Sequence, residues 1–194
     1  MPVTPETSQA AEISETLPRA ETLWVFGYGS LIWNPDFPVA EHHIARATNW
    51  HRSFCMRSIH HRGTETAPGL VLALDHAPGA VCDGVAFRVT PGAEAETLQT
   101  LRERELISSA YLEITLPLEL ADGRKIDALA YVIDPDHEQY CGNIPLAEQA
   151  QIIASASGGR GSNRDYLYAT ADHLASLGIA DADLAWLAAQ VREA

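Results

Sequence analysis

The apolar residues of this 194-residue chain form a succession of short β-rich runs, with helical patterns concentrated in the C-terminal quarter. Strands followed by helices are typical of an α+β fold rather than of alternating βαβ units. The last two runs are joined by Ala121-Asp122-Gly123-Arg124, in which Asp-Gly is expected to supply the positive φ angles of a tight hairpin. Six strands are predicted: Trp24–Tyr28, Thr48–Arg57, Leu70–Leu74, Gly84–Val89, Tyr111–Leu118 and Ile126–Ile133.

Helical periodicity predicts one helix among the strands and three after them. The embedded helix covers about residues 93–106, and two later stripes cover residues 146–154 and 166–177. Gly178 is expected to end the second stripe, and Asp181 or Asp183 to cap a final short helix. The pattern therefore predicts a sheet or barrel with helices packed against it.

The chain is predicted to contain one domain, residues 23–194. Residues 1–22 are rich in Pro, Thr, Ser, Glu and Ala without a sustained apolar stripe, so we interpret them as a mobile extension. No apolar run approaches the roughly 18 residues of a membrane helix, and the N-terminus lacks the order of a signal peptide. Three widely spaced cysteines without a CxxC motif favour a reducing cytoplasm over a disulfide framework or a zinc site.

The net charge of -13 comes from 26 acidic and 13 basic residues, which disfavours nucleic acid as a partner. The stretch His42–Gly63 is the exception, because it contains no acid. It is either a basic strand pair with acidic partners elsewhere or the wall of a pocket for a small anion. Its basic residues are Arg46, Arg52, Arg57 and Arg62, with His42, His43, His51, His60 and His61.

A glycine-rich turn, GYGSL at residues 27–31, follows the first predicted strand. A dinucleotide fingerprint requires a third glycine where this chain has Ile32, and a nucleophile elbow requires glycines two residues on either side of Ser30. The sequence therefore matches neither motif. The two glycines still let the backbone bend and leave N–H groups free for a carboxylate or an oxyanion. The turn is either a plain strand end or a ligand-binding loop.

A second glycine-rich run, Gly158–Asn163, lacks the Gly-Lys-Ser/Thr ending of a phosphate loop. The sequence favours a flexible connection in which Ser162 or Asn163 caps the next helix. Tyr166 lies one turn into that helix, on its inward stripe. It is either a core residue with a satisfied hydroxyl or a ligand contact.

Helical geometry singles out one acid in the charged run RERE at residues 102–105. Successive residues are about 100° apart around the helix axis. With Leu98 at zero, Glu105 lies at about 340°, on the apolar stripe, whereas Glu103 lies at about 140° and points away. A carboxyl group buried among leucines has a raised pKa and can both accept and donate a proton. Glu105 is therefore a candidate acid/base, and the alternative is a buried ion pair with Arg102 or with an arginine of the basic stretch.

The two histidine doublets do not predict a metal site. Neighbouring residues of a strand face opposite sides, so a doublet does not present two ligands to one ion. The sequence also lacks a histidine pair at i,i+4 with a nearby acid.

Taken in order, the motifs resemble the ChaC-type γ-glutamylcyclotransferases over nearly all of residues 24–191. Their number and order make the match specific, and the first 22 residues lie outside it. The strings that match are WVFGYGSLIWNP from Trp24, HRGT from His61, PGLVLAL from Pro68, GVAFRV from Gly84, the RE of Arg104-Glu105 with Tyr111 after it, and GNIP from Gly142 followed by GSNRDYL from Gly161.

The resemblance implies an α+β fold, with a small mixed β-barrel and flanking helices. It implies that Glu105 is the general acid/base. It also implies two sets of substrate-binding residues, a loop and less certain pocket positions. The two arginines among the latter are candidates for the substrate carboxylates, because the guanidinium fork suits a planar anion. The loop consists of Tyr28, Gly29, Ser30 and Leu31, and the pocket positions are Arg57, Arg62, Tyr111 and Tyr166.

The chemistry that the resemblance implies is the conversion of glutathione into 5-oxoproline and Cys-Gly. The α-amine of the substrate attacks its own γ-amide carbonyl, so no catalytic Ser, Cys, metal or cofactor is required. No membrane, nucleic acid or obligate protein partner is implied. The alternatives are a cyclotransferase for other γ-glutamyl amines or amino acids, and a non-catalytic regulator of cation transport. Retention of Glu105 and of the YGSL loop speaks against the regulator.

Overall fold

The computed structural model describes residues 22–142 and 144–194. The extension predicted for residues 1–22 lies outside these residues apart from Thr22. Five strands form a closed barrel in the order β1-β3-β2-β4-β5. Strand β1 runs parallel to β5, and the other pairs are antiparallel. The predicted mixed barrel with flanking helices is therefore confirmed. The strands are β1 Trp24–Gly27, β2 Val39–Ser58, β3 Gly69–Val89, β4 Tyr111–Leu120 and β5 Lys125–Ile133.

The prediction of six separate strands was wrong for the long hairpin of β2 and β3. The runs Leu70–Leu74 and Gly84–Val89 are two ends of the single strand β3, and Thr48–Arg57 is only the second half of β2. Residues 76–81 are exposed or half-buried, so the apolar pattern lapses there. The strands nevertheless continue through register shifts, one of which lies between Thr48 and Trp50.

The turn between β4 and β5 differs from its prediction in one residue. Gly123 has a φ of +87°, but Asp122 does not have a positive φ. The Gly123 N–H donates to the Leu120 carbonyl at 2.9 Å, and the Leu120 N–H donates to the Arg124 carbonyl at 2.8 Å. The turn therefore needs only one left-handed residue, as in a hairpin that combines a normal turn with a glycine bulge.

Four helices flank the barrel, close to the predicted positions. The Ser162 hydroxyl caps α3 by accepting from the Asp165 N–H at 3.1 Å, and Asp181 caps α4 through the Leu184 N–H at 3.0 Å. Gly178, with a φ of +72°, follows the end of α3 as expected. The helices are α1 Glu94–Glu105, α2 Leu146–Ser155, α3 Asn163–Ser176 and α4 Ala182–Glu193, and a short hairpin of β6 Ser157–Gly158 and β7 Gly161–Ser162 precedes α3.

The helices pack on different parts of the barrel. Helices α2, α3 and α4 share an apolar core with β2 and β3, in which Phe54 and Leu167 are buried. Helix α1 packs separately, with Leu101 buried against Val25 and Tyr131. The space between the end of α1, the start of β3 and α3 is where the candidate site lies. Within the described residues, no helix is both long enough and apolar enough to cross a membrane.

Candidate active site

Glu105 is the last residue of α1 and turns inward, as the helical angles predict. Leu101, one turn before it, is fully buried, whereas the Glu105 side chain retains 16% of its exposure. Glu103 is exposed and accepts a hydrogen bond from Gln99 at 2.9 Å. Two carboxyl groups on one helix therefore have different surroundings, and only Glu105 faces the interior.

Glu105 lies where a cavity of about 410 Å³ meets an inner recess of about 30 Å³. Ser30, Tyr111 and Tyr166 also line both spaces. The outer cavity continues past Met56 and Ser58 to a basic edge. The remaining recess residues are Tyr28, Gly29, Leu31, Leu72 and Tyr131. The basic edge consists of His60, His61, Arg62, Arg104 and Arg160.

Burial raises the pKa of the Glu105 carboxyl above its ordinary value, and the charges of Arg104 and Arg160 oppose that rise. The ion pair expected with Arg102 or an arginine of the basic stretch is not formed. Arg102 instead binds Glu113, with Nη2 and Oε1 2.7 Å apart. The Arg104 Nε lies 3.1 Å from the Glu105 carboxylate. Glu105 therefore combines a raised pKa with one charged neighbour that orients it.

Arg104 connects Glu105 to the glycine-rich loop. Its guanidinium donates to the Ser30 hydroxyl at 3.0 Å and to the Asn34 carbonyl at 2.8 Å, while its Nε contacts Glu105. Sequence reasoning did not select Arg104, since a charged residue in a helix is usually solvated. Its position beside Glu105 was the only available signal. Arg104 fixes the distance between the carboxyl group and the loop.

The glycine-rich loop turns from β1 into a short 3₁₀ helix at Ser30–Ile32. The first N–H groups of such a helix have no carbonyl partner within it and can bind an anion. Gly29 has a φ of -133° and a ψ of -126°, which lies outside the regular helix and strand regions. A Cβ at Gly29 would lie 3.6 Å from the Tyr166 hydroxyl and 3.8 Å from the Leu72 Cβ. The absence of a side chain there keeps the recess open.

Three of the four tyrosines that line the recess use their hydroxyl groups differently. Tyr28 donates to the Tyr131 carbonyl at 2.5 Å, and Tyr111 donates to the Leu72 carbonyl at 3.0 Å. Tyr166 instead accepts from the Leu72 N–H at 3.2 Å, which leaves its own proton available to a ligand. Burial raises the pKa of Tyr28 and Tyr111, and raises that of Tyr166 to about 12, so all three remain protonated at neutral pH.

Side chains bind the backbone N–H and carbonyl groups along one edge of the first residues of β3. The buried amide of Asn163 accepts from the Leu70 N–H and donates to the Leu70 carbonyl, both at 2.7 Å. Tyr166 and Tyr111 bind the N–H and carbonyl of Leu72 in the same way. Of the two predicted caps of α3, Ser162 performs that role, and Asn163 holds the helix against the barrel. These contacts place Tyr166 at the recess.

The two interpretations of the basic stretch each hold for one part of it. Toward the barrel, Arg46 binds Asp83 at 2.8 Å, and the buried Arg52 binds Asp181 at 2.8 Å. At the other end, Arg62 lines the cavity, with its guanidinium 5.4 Å from the Tyr166 ring centroid. Arg57 is exposed and does not line the cavity or the recess. Of the sequence-predicted residues, only Arg57 is not brought to the site.

In the described part of the chain, the histidines of the two doublets do not belong to a group of side chains that could bind a metal ion. Among residues 22–142 and 144–194, no three or more His, Cys, Asp or Glu side chains are grouped as metal ligands. His43 lies 3.1 Å from Glu41, while His60 and His61 line the cavity.

Comparison with known proteins gives consistent matches over most of the chain. The family model described as ChaC-like protein matches residues 23–194. A glutathione-specific gamma-glutamylcyclotransferase of Escherichia coli is 37% identical over 188 residues, which cover 95% of this chain and 80% of that protein. The human glutathione-specific gamma-glutamylcyclotransferase 1 is 34% identical, covering 89% of this chain and 81% of its own.

A solved structure shares the fold. The crystal structure of a yeast gamma-glutamyl cyclotransferase specific to glutathione superposes with a TM-score of 0.80 and 24% sequence identity. The match covers 89% of this chain and 96% of the yeast chain. The barrel and its flanking helices therefore have the fold of that yeast structure.

Proposed function

The chain belongs to the ChaC-like family, and from this premise we propose that it is a glutathione-specific gamma-glutamylcyclotransferase that forms 5-oxoproline and Cys-Gly. The observation on which the proposal rests is the position of Glu105. Its carboxyl group, with a pKa raised by burial, lies at the junction of a small recess and a larger cavity. A carboxylate with a raised pKa accepts a proton more readily than an ordinary carboxylate, which suits it to proton transfer.

In the proposed reaction the α-amine of glutathione attacks the γ-carbonyl carbon of the same molecule. A nitrogen–carbon bond closes the five-membered ring, and the amide bond to the cysteine nitrogen breaks. Glu105 accepts a proton from the α-ammonium and then donates a proton to the departing nitrogen. The ring nitrogen then gives its extra proton to the regenerated carboxylate, which passes it to the released amine of Cys-Gly and so returns to its starting state. One residue therefore acts first as base and then as acid.

The loop and Tyr166 are proposed to stabilise the negative charge on the carbonyl oxygen. The N–H groups at the start of the Ser30–Ile32 helix lack helical partners, and the Tyr166 hydroxyl has its proton free. Donors that are fixed before the reaction stabilise a developing oxyanion without reorganisation. Arg104 holds Ser30 and Glu105 together, so the donors and the base act on the same substrate.

The shape and charge of the two spaces fit a γ-glutamyl peptide. The recess, with Tyr28, Gly29, Leu31 and Tyr111, is assigned to the γ-glutamyl group. The outer cavity, which Arg62 lines, is assigned to Cys-Gly. Glutathione has two carboxylates and one ammonium group, so a basic edge attracts it. Arg57, which lies outside both spaces, is not assigned a contact.

The outer cavity also favours a peptide over the alternatives. A cyclotransferase for small γ-glutamyl amines needs no cavity of about 410 Å³ beyond the recess. A non-catalytic regulator needs no carboxyl group whose pKa is raised by burial. We place the reaction in the reducing cytoplasm, which the three unpaired cysteines favour.

Incubation of the purified protein with reduced glutathione tests this proposal. Mass spectrometry is expected to detect 5-oxoproline and Cys-Gly in equal amounts. Release of free glutamate instead would indicate a hydrolase, and unchanged glutathione would contradict the proposed function. γ-Glutamyl amino acids serve as competing substrates, and we expect glutathione to be converted with the higher kcat/KM.

A further inference from the structure

Three arginines line the outer cavity, and the fold uses them to different degrees. Arg104 binds Glu105, the Ser30 hydroxyl and the Asn34 carbonyl. The Nη1 of Arg62 donates to the Arg160 carbonyl at 2.6 Å and to the Ser162 carbonyl at 3.3 Å. Both side chains therefore use some of their N–H donors in hydrogen bonds within the protein.

Arg160 differs from the other two arginines. Its side chain is exposed, and within residues 22–142 and 144–194 its guanidinium has no hydrogen-bonding or ion-pair partner. Glu105 is the only acid among the described residues that line the cavity. Arg160 therefore presents a complete set of donors to a space with three arginines and one carboxylate.

The backbone that presents Arg160 is fixed in spite of its glycines. The Arg160 N–H donates to the His61 carbonyl at 2.9 Å, and the Arg160 carbonyl accepts from Arg62. A Cβ on Gly158 would lie 2.6 Å from the Gly63 nitrogen, so the hairpin and the end of the basic stretch are in close backbone contact. The charge of Arg160 thus extends from an anchored position and does not sample the whole surface.

Arg160 is exposed at the rim of the outer cavity. It does not line the recess, but it lines both the outer cavity and a shallower depression with Asn34 and Glu103. If the γ-glutamyl group occupies the recess, the opposite end of the tripeptide extends toward this rim. That end carries the glycyl carboxylate, a planar anion that matches the guanidinium fork.

We propose that Arg160 binds the glycyl carboxylate of glutathione and so determines the preference for the tripeptide over shorter γ-glutamyl compounds. The inference rests on the proposed function and adds a specificity residue to it. The glycine-rich run at residues 158–163 had been interpreted from sequence as a flexible connection. Only the three-dimensional arrangement shows that its arginine faces the cavity.

The test compares glutathione with its glycyl ethyl ester, in which this carboxylate is blocked. The wild-type protein is expected to prefer glutathione by about tenfold or more in kcat/KM, since a charged hydrogen bond is lost. In Arg160→Gln the preference is expected to fall below about twofold, and in Arg160→Lys to be intermediate. Removing Arg160 also changes the field at Glu105, but that effect is common to both substrates and cancels in the ratio.

Arg192→Gln is the matched control. Arg192 lies outside the cavity and pairs at the surface with Asp172 at 3.1 Å, and we expect its variant to retain the full preference. A wild-type protein that converts both compounds equally, or an Arg160→Gln variant that still discriminates, would overturn the inference while leaving the proposed function intact. Absence of turnover would instead contradict the proposed function. Calorimetric binding of the two compounds then decides the role of Arg160, with the same tenfold ratio expected.

Discussion

Helix α1 contributes the arginine of two Arg–Glu pairs, one with Glu113 of β4 and one with Glu105 at the cavity, and the two carboxyl groups respond in opposite ways. Arg102 holds Glu113 with hydrogen bonds from Nε and Nη2, which lowers the pKa of Glu113. Glu105 has Arg104 at 3.1 Å, yet burial outweighs this charge and raises its pKa. The comparison shows that a nearby arginine does not by itself define a structural ion pair.

The difference arises from solvent and from the number of hydrogen bonds. The Arg102 side chain retains 47% of its exposure and that of Glu113 21%, so both ions keep part of their hydration. Tyr131 also donates to Glu113 at 3.0 Å and stabilises its charged form. Glu105 receives less hydrogen bonding and loses more hydration. A carboxyl group in these conditions exchanges a proton more readily near neutral pH.

The largest effect is expected from Glu105→Gln. The amide retains the shape of the side chain but cannot transfer a proton, so kcat for glutathione should fall about 100-fold or more. Glu103→Gln, the same change on the solvent side of the helix, should leave kcat within about twofold of the wild type. Steady-state kinetics of both purified variants make the measurement. A Glu105→Gln protein that retains more than about a tenth of wild-type turnover would end the acid/base assignment.

Gly29→Ala tests whether the recess holds the γ-glutamyl group. The added Cβ makes ordinary contacts of 3.6 and 3.8 Å, so it meets no steric clash, and a thermal melt shows whether the fold is retained. It would nevertheless occupy the recess, and one methyl group in a binding pocket changes kcat/KM by about 10- to 200-fold. Kinetics and a thermal melt are measured together. A normal melting temperature with normal kcat/KM would place the γ-glutamyl group elsewhere.

Smaller effects on stability should have opposite signs for the two pairs. Folding raises the pKa of Glu105. Between pH 4.5 and that raised value, the folded protein therefore binds more protons than the unfolded chain. The contribution of Glu105 to the free energy of unfolding falls as pH rises through this window. Glu105→Gln should therefore raise Tm at pH 7. The lowered pKa of Glu113 contributes stability that is present above its unfolded pKa and lost as pH falls, so Glu113→Gln should lower Tm at pH 7.

Thermal melts at pH 7 and pH 4 measure both variants against the wild type. The two differences in Tm should shrink at pH 4, because the carboxyl groups become increasingly protonated in both states. Equal shifts of the same sign at pH 7 would remove the distinction between the two pairs.

The sequence predicted those parts of the fold and site that depend on local pattern. The inward direction of Glu105 followed from its angular distance to Leu98, and the caps at Asp181 and Gly178 followed from their chemistry. The length of β2 and β3 could not be predicted, because residues 76–81 are exposed or half-buried and lack an apolar period, and the pairing continues past them only through a register shift.

The remaining site residues depend on contacts between distant parts of the chain. Leu72 acquires its role from Tyr166 and Tyr111, which lie 94 and 39 residues away in sequence. Arg57 stands in a mostly apolar run and Arg160 among glycines, and neither context predicts which of the two faces the cavity. Only packing shows that the first lies on the cavity and the second outside it.

The most direct test of the account is the fate of glutathione acetylated on its α-nitrogen. If the amine of the substrate is the nucleophile and Glu105 only moves protons, the blocked compound cannot cyclise. Mass spectrometry should then find 5-oxoproline and Cys-Gly from glutathione, and no Cys-Gly from N-acetylglutathione. A hydrolase that uses water or Ser30 would cleave the blocked compound, because its attacking atom comes from elsewhere. Release of Cys-Gly together with N-acetylglutamate would contradict the cyclisation mechanism.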